Sequence, residues 1–114
     1  MTVAELVNKL GLEVFSGSEG LDRIIDGASV SDLLSDVMGN ADQGNIWITL
    51  QVHKNITAVA LLKEISCIIL VNNHKPSPEA IEQSNAEKIP LLGTTLPAYE
   101  ITGRIYSLLN HENV

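Results

Sequence analysis

Cys67-Ile-Ile-Leu-Val-Asn-Asn-His-Lys-Pro-Ser-Pro-Glu-Ala-Ile-Glu-Gln-Ser-Asn-Ala-Glu-Lys-Ile-Pro-Leu-Leu92 is the stretch whose reading decides the fold. It opens on Cys67 to Val71, apolar at every position, which is the composition of a strand buried on both faces of a parallel sheet. A polar loop leads into a helix-length segment from Pro78 to Lys88, where proline suits the first turn because that turn has no use for its missing N–H. Pro90 to Leu92 is then a second short strand. The same alternation extends outward on both sides: before this stretch, a strand at Ile46 to Leu50 leads into a helix at Ile56 to Ile65, and after it comes a helix at Pro97 to Leu109. Repeated strand-helix units imply parallel strands joined by right-handed crossovers, with helices covering the sheet.

Toward the N-terminus, Thr2-Val-Ala-Glu5 has capping-box spacing and opens an apolar stripe of Val3, Leu6, Val7 and Leu10, which Gly11 ends. Leu12 to Phe15 is a strand candidate, followed by the turn Ser16-Gly-Ser-Glu-Gly20. Ile24 to Val30 reads as another strand, and Asp32 to Met38 as a short helix stopped by Gly39-Asn40. At 114 residues the chain is about one domain long. The expectation is an α/β fold: a single domain over residues 1–114 with a small, mostly parallel sheet flanked by helices.

Composition narrows the function. The net charge is −7, and the basic residues Lys9, Arg23, Lys54, Lys63, Lys75, Lys88 and Arg104 are scattered singly, so the clustered cations that a nucleic acid or an anionic membrane needs are missing. The apolar run at Ile65 to Val71 is far short of the roughly 20 residues that span a bilayer, and Met-Thr-Val-Ala-Glu-Leu at the start is no secretory leader. Cys67 is the sole cysteine, which rules out an internal disulfide or a C-x-x-C site and places the protein in a reducing cytoplasm. There is no G-x-x-x-x-G-K-[ST] and no G-x-G-x-x-G after a strand, so ATP-dependent phosphoryl transfer is not expected.

Ligands of such sheets bind at the carboxyl ends of the strands, where loops meet helix N-termini whose free amides favour anions. Gln51-Val-His-Lys-Asn55, Asn72-Asn-His-Lys75 and Gly93-Thr-Thr95 hold most of the chain's polar groups there, and the loop after the Ile24–Val30 strand adds Ser31 and Asp32. The candidate ligand-binding residues are therefore His53, Lys54, Asn55, Asn72, Asn73, Thr94, Thr95, Ser31 and Asp32. The same residue types also populate such loops simply as helix caps and turns. For an anion at His53 to Asn55, Lys54 would supply charge and His53, with an unperturbed pKa of about 6.5, would tune affinity with pH.

Catalysis and metal chemistry find little support. His53 and His74 lack a convincing third ligand and the spacing that puts both on one helix, so no metal and no cofactor are expected. Cys67 begins the most apolar strand, which suits a packing residue better than a nucleophile, and Ser66 lacks the glycines of a nucleophile elbow. Asp32 and Asp36, four apart, read as a solvated acidic face. Trp47 is either core or part of an association surface, and the last helix carries more apolar residues than one side of a small sheet needs, which suggests a homodimer.

Taken together, Gly27-Ala-Ser-Val-Ser-Asp-Leu-Leu34, Gly44-Asn-Ile-Trp-Ile-Thr49, Asn55-Ile-Thr-Ala-Val-Ala60, Cys67-Ile-Ile-Leu70 and Ile89-Pro-Leu-Leu92 resemble a DRTGG domain. Where that family usually shows Asp-Arg this chain has Val52-His53, and where it shows Thr-Gly-Gly it has Val71-Asn72-Asn73. The resemblance implies a regulatory or ligand-sensing module, commonly dimeric, without catalysis of its own and similar to the N-terminal domain of HPr kinase/phosphorylase. The form with His53 and Asn55 resembles a stand-alone subgroup often encoded beside iron hydrogenases and sensor kinases, which implies a redox-enzyme or kinase partner. The expected function is thus a non-catalytic homodimeric domain that senses a small anionic or nucleotide-like ligand, or alternatively an adaptor for such a partner.

Overall fold

The computed structural model describes residues 1–110. Its first helix, α1 (Val3–Leu10), forms as its caps dictate: Thr2 Oγ1 accepts the Glu5 amide at 3.2 Å, the Glu5 carboxylate accepts the Thr2 amide at 3.4 Å, and Gly11 closes the helix at φ 62°. β1 (Glu13–Ser16) follows, then a single 3-10 turn at Ser18–Gly20. From there strands and helices alternate: β2 (Ala28–Val30), α2 (Leu34–Asn40), β3 (Ile46–Thr49), α3 (Asn55–Leu62), β4 (Cys67–Leu70), α4 (Pro78–Glu87), β5 (Leu91–Gly93) and α5 (Ala98–Asn110).

The sheet order is β1-β5-β4-β3-β2. β2 to β5 are parallel neighbours in chain order, and β1 lies antiparallel on the outside of β5, with Glu13 opposite Gly93. Side-chain alternation splits the core into two layers. Trp47, Ile68, Leu70 and Leu91 face Val37, Ile56, Val59, Ala60 and Ala80 of the crossover helices α2 to α4. Ile46, Ile48, Cys67, Ile69 and Leu92 face Val3 and Leu6 of α1 and Ile101 and Ile105 of α5. All three crossover helices lie on one side, as right-handed connections between strands in sequential order require.

Burial carries the stability. Each fully buried Leu, Ile or Val contributes roughly 1.5–3 kcal/mol, and β3, β4 and β5 are buried at every position. The ion pairs Lys75–Glu13, Lys88–Glu19 and Arg104–Glu100 join half-exposed or more exposed side chains, which makes them worth about 0–1 kcal/mol each. Cys67 is fully buried, and burial pushes its thiol up to about 12 against a slight opposing pull from Arg23. No helix among the described residues is long and apolar enough to cross a membrane.

Three local expectations are corrected and one open alternative, at Trp47, is decided for the core. The Ile24–Val30 strand shrinks to Ala28–Val30, because Ile24 pairs with Thr2 and the Ile25 amide donates to Met1 O at 2.9 Å, so this part of the segment belongs to the N-terminus. The Asp32–Met38 helix starts at Leu34 and runs through Gly39 to Asn40, since Asp32 is engaged elsewhere and Asn40 bonds back to Asp36 at 2.8 Å. The Ile56–Ile65 helix ends at Leu62, where Glu64 turns left-handed at φ 55°. Trp47 is wholly buried beneath α2 and α3, and its Nε1 donates to Ser31 O at 2.9 Å, so it offers nothing to an association surface.

Strand order also places the open end of the sheet. From β2 to β5 the order never reverses, so no two loops diverge there to leave a crevice. The single reversal is at β1, whose first residues come to lie beside the carboxyl end of β5.

Candidate functional site

The expected site residues separate into three places. At the ends of β2 and β3, Ser31 Oγ accepts the Leu33 amide at 3.1 Å. The Asp32 carboxylate accepts Thr49 Oγ1 at 2.9 Å and the Leu50 amide at 2.7 Å, and Gln51 Nε2 donates to Asp32 O at 2.8 Å. Asp32 thus ties the end of β3 to the start of the next loop through one carboxylate oxygen, Oδ1.

At the start of α3, His53, Lys54 and Asn55 are all exposed. The carbonyls of His53 and Lys54 accept the Ile56 and Thr57 amides at 3.2 and 3.1 Å, and Lys54 occupies the cap position in a helical conformation without a side-chain cap. His53, Lys54 and Asn55 are not among the residues lining the cleft that holds Asn73, Thr94 and Thr95.

The third place is built. Asn72 and Asn73 follow β4 in the left-handed region at φ 55° and 60°, and Asn is among the few side chains that adopt it readily. The turn aims their amides at the next loop, Asn72 N donating to Leu96 O and Asn73 N to Thr94 O, both at 2.9 Å. Thr94 Oγ1 accepts the Leu96 amide at 3.2 Å, so the β4 and β5 loops are locked together. His74 Nδ1 lies 3.0 Å from Val71 O. A carbonyl only accepts, so Nδ1 carries the proton and Nε2 is left for another partner.

Beside this pair of loops lies a cleft of about 350 Å3, lined by Asn73, His74 and Lys75 from the β4 loop, Thr94, Thr95 and Leu96 from the β5 loop, Glu13 and Phe15 of β1, and Arg104 of α5. One edge of the Phe15 ring approaches Gly93, where an added Cβ would sit 2.4 Å from it, so any larger residue at that strand end would have to displace the ring. Lys75 Nζ stands 5.2 Å from the centre of that ring and 3.4 Å from the Glu13 carboxylate. Arg104 is paired to Glu100 at 3.7 Å. Both pairs are exposed and weak, so an incoming anion of higher charge can take over either cation.

The structure therefore gathers Asn73, Thr94 and Thr95, with Asn72 through its backbone, and adds His74, Lys75, Glu13, Phe15 and Arg104. Lys75 was within reach of sequence reading, since it closes the loop Asn72-Asn-His-Lys75. Glu13 and Arg104 had no local signal. Among the described residues no three His, Cys, Asp or Glu side chains converge as a metal site would require.

No curated protein sequence matches the chain. Among solved structures, it is similar to the CBS and DRTGG domains of the regulatory region of Clostridium perfringens pyrophosphatase, determined with the activator diadenosine tetraphosphate bound, at a TM-score of 0.73 and 19% identity. The match covers 89% of this chain and 44% of that one, so the chain spans less than half of the protein it resembles, and at this identity the likeness establishes the fold alone. The DRTGG domain model, by contrast, matches residues 5–108, from within α1 to near the end of α5, which takes in every strand of the sheet and both loops of the cleft. The chain belongs to the DRTGG domain family.

Proposed function

We propose that the chain is a non-catalytic regulatory domain of the cytoplasm that acts as a homodimer and binds a small anionic, nucleotide-like ligand in the cleft between the β4 and β5 loops. The observation that carries this reading is the gathering of Lys75, Arg104 and His74 around Asn73, Thr94 and Thr95, in a chain with only 7 Lys and Arg against 14 Asp and Glu. Two of so few cations stand at one cleft, each held only by a single exposed carboxylate, Glu13 or Glu100, that an anion can displace. The similar pyrophosphatase region, whose activator is a dinucleotide polyphosphate, supports a ligand of that class.

Calorimetry against a panel of nucleotides and phosphorylated metabolites tests the reading. Lys75→Ala is expected to weaken binding by about 1–3 kcal/mol, the loss of one charge-assisted hydrogen bond. Glu13→Gln should tighten it modestly by freeing Lys75, and affinity should fall with added salt. Lys54→Ala separates the two loops of the sheet end. If it loses affinity while Lys75→Ala keeps it, the anion sits over α3 at His53 to Asn55. If no member of the panel binds the wild type, the sensing role is abandoned.

A second reading, an adaptor for a redox enzyme such as an iron hydrogenase or for a sensor kinase, draws on exposed apolar side chains of the opposite layer, Leu33 at 64% and Leu62 at 70% exposure. Loss of partner capture on Leu62→Asp, with ligand binding unchanged, would favour it.

A further inference from the structure

A second pocket, of about 360 Å3, opens at the other end of the sheet, where Gly44, Ser66 and Ile89 stand just before β3, β4 and β5. Arg23 lines it. Its Nε donates to Lys88 O at 2.9 Å and its Nη2 to Glu87 O at 3.4 Å, so one edge of the guanidinium is spent on the last carbonyls around the end of α4. Gly20 permits that grip, because an added Cβ there would lie 2.0 Å from Lys88 O. The Nη1–Nη2 fork is left over, and although the side chain is half-buried, no carboxylate among the described residues pairs with it. Glu64 lines the same pocket, and its carboxylate has neither a hydrogen bond nor an ion pair among the described residues. It stands just past α3 at φ 55°, where its carbonyl accepts the Gly44 amide at 2.9 Å and where glycine would carry no strain. The rest of the lining is largely apolar: Ala60, Ile89, and two side chains left in water, Ile24 at 64% and Leu61 at 48% exposure.

We propose that this pocket binds a free α-amino acid with a branched aliphatic side chain. The open fork of Arg23 takes the α-carboxylate in two parallel hydrogen bonds, Glu64 takes the α-ammonium, and the aliphatic part covers Ile24 and Leu61. The unpaired charges set the ligand class. A carboxylate without an amine leaves Glu64 facing it, an amine without a carboxylate leaves Arg23 facing it, and a zwitterion satisfies both. The inference goes beyond the anion cleft and does not depend on it, since no residue lines both pockets.

Calorimetry and backbone-amide NMR of the full chain with L-leucine test this. Leucine is expected to bind and to shift the amides of Gly44, Glu64 and Ser66. Isocaproate and isoamylamine, which are leucine without its ammonium and without its carboxylate, should bind about tenfold or more weakly. Glu64→Gln should weaken leucine by a similar factor without weakening isocaproate, which has no ammonium to lose. Glu64→Gly should lose leucine in the same way yet melt at a higher temperature than wild type, which separates loss of the site from loss of the fold. Absence of leucine binding overturns the inference, and so does binding of both analogues as tight as that of leucine. Shifts confined to Asn73 and Thr94 would put the amino acid in the anion cleft and overturn this site, whereas a failure of the nucleotide panel leaves it standing.

Discussion

Gly17→Ala is expected to destabilise the protein by roughly 2–5 kcal/mol, a large share of what a domain of this size possesses. Gly17 follows β1 at φ 73°, and its amide donates to Asn85 Oδ1 at 2.8 Å, which pins the chain against the end of α4. An added Cβ would lie 2.1 Å from Ile89 O and 2.8 Å from the Pro90 Cα, both backbone atoms that cannot swing aside as a side-chain tip can. Left-handed strain and a backbone clash therefore add. Gly11→Ala is the internal comparison: it has φ 62° but open space around the new methyl, so only the conformational part, about 1 kcal/mol, should be lost. Urea unfolding of the two variants separates strain from packing. Equal losses would mean that the approach of the turn to Ile89 is not tight.

The second large effect lies at alkaline pH and comes from Cys67. Its thiol is pushed up to about 12 in the fold by burial, against an ordinary thiol value of 9.0. Between these limits the unfolded chain releases the proton and the folded chain keeps it, so the unfolded state binds fewer protons and stability falls as pH rises. The stabilisation is fully present below about pH 9 and is lost progressively toward pH 12, at about 1.4 kcal/mol per pH unit. Chemical denaturation from pH 8 upward should show this slope in wild type, and the difference against Cys67→Ala isolates it from the exposed tyrosines and lysines. A parallel pH dependence in the two proteins would remove the assignment. Native Cys67 should also resist alkylating reagents that modify it fully once the chain is unfolded.

Both effects trace to features that the linear chain shows unequally. The burial of Cys67 was legible, because an unbroken apolar run such as Cys67 to Val71 is stable only between two covering layers. The constraint at Gly17 was not, since a glycine in a serine-rich turn looks like any other turn residue until the backbone of Ile89 is placed against it.

The candidate site divides the same way. The loop Asn72 to Lys75 stood out because polar residues directly after a buried strand must lie at the sheet end, where Asn also tolerates left-handed backbone. Asp32 looked like a free carboxylate in the sequence, but which groups engage it depends on the strand end that lies next to it, and here Thr49 and Leu50 take Oδ1. Arg104 and Glu13 were invisible as site residues because they reach the cleft from elements far away in the chain.

By itself, then, the sequence determined the strand-helix alternation, the parallel sheet, the buried centre and the polarity of the loops at its carboxyl end, all consequences of local periodicity and of residues that tolerate few backbone conformations. Tertiary structure alone decided that Trp47 is hidden, that β1 joins antiparallel on the far side of β5, and that Lys75, His74 and Arg104 share one cleft. Strand order and helix placement are set by the summed burial of the whole chain, and no single segment carries that information.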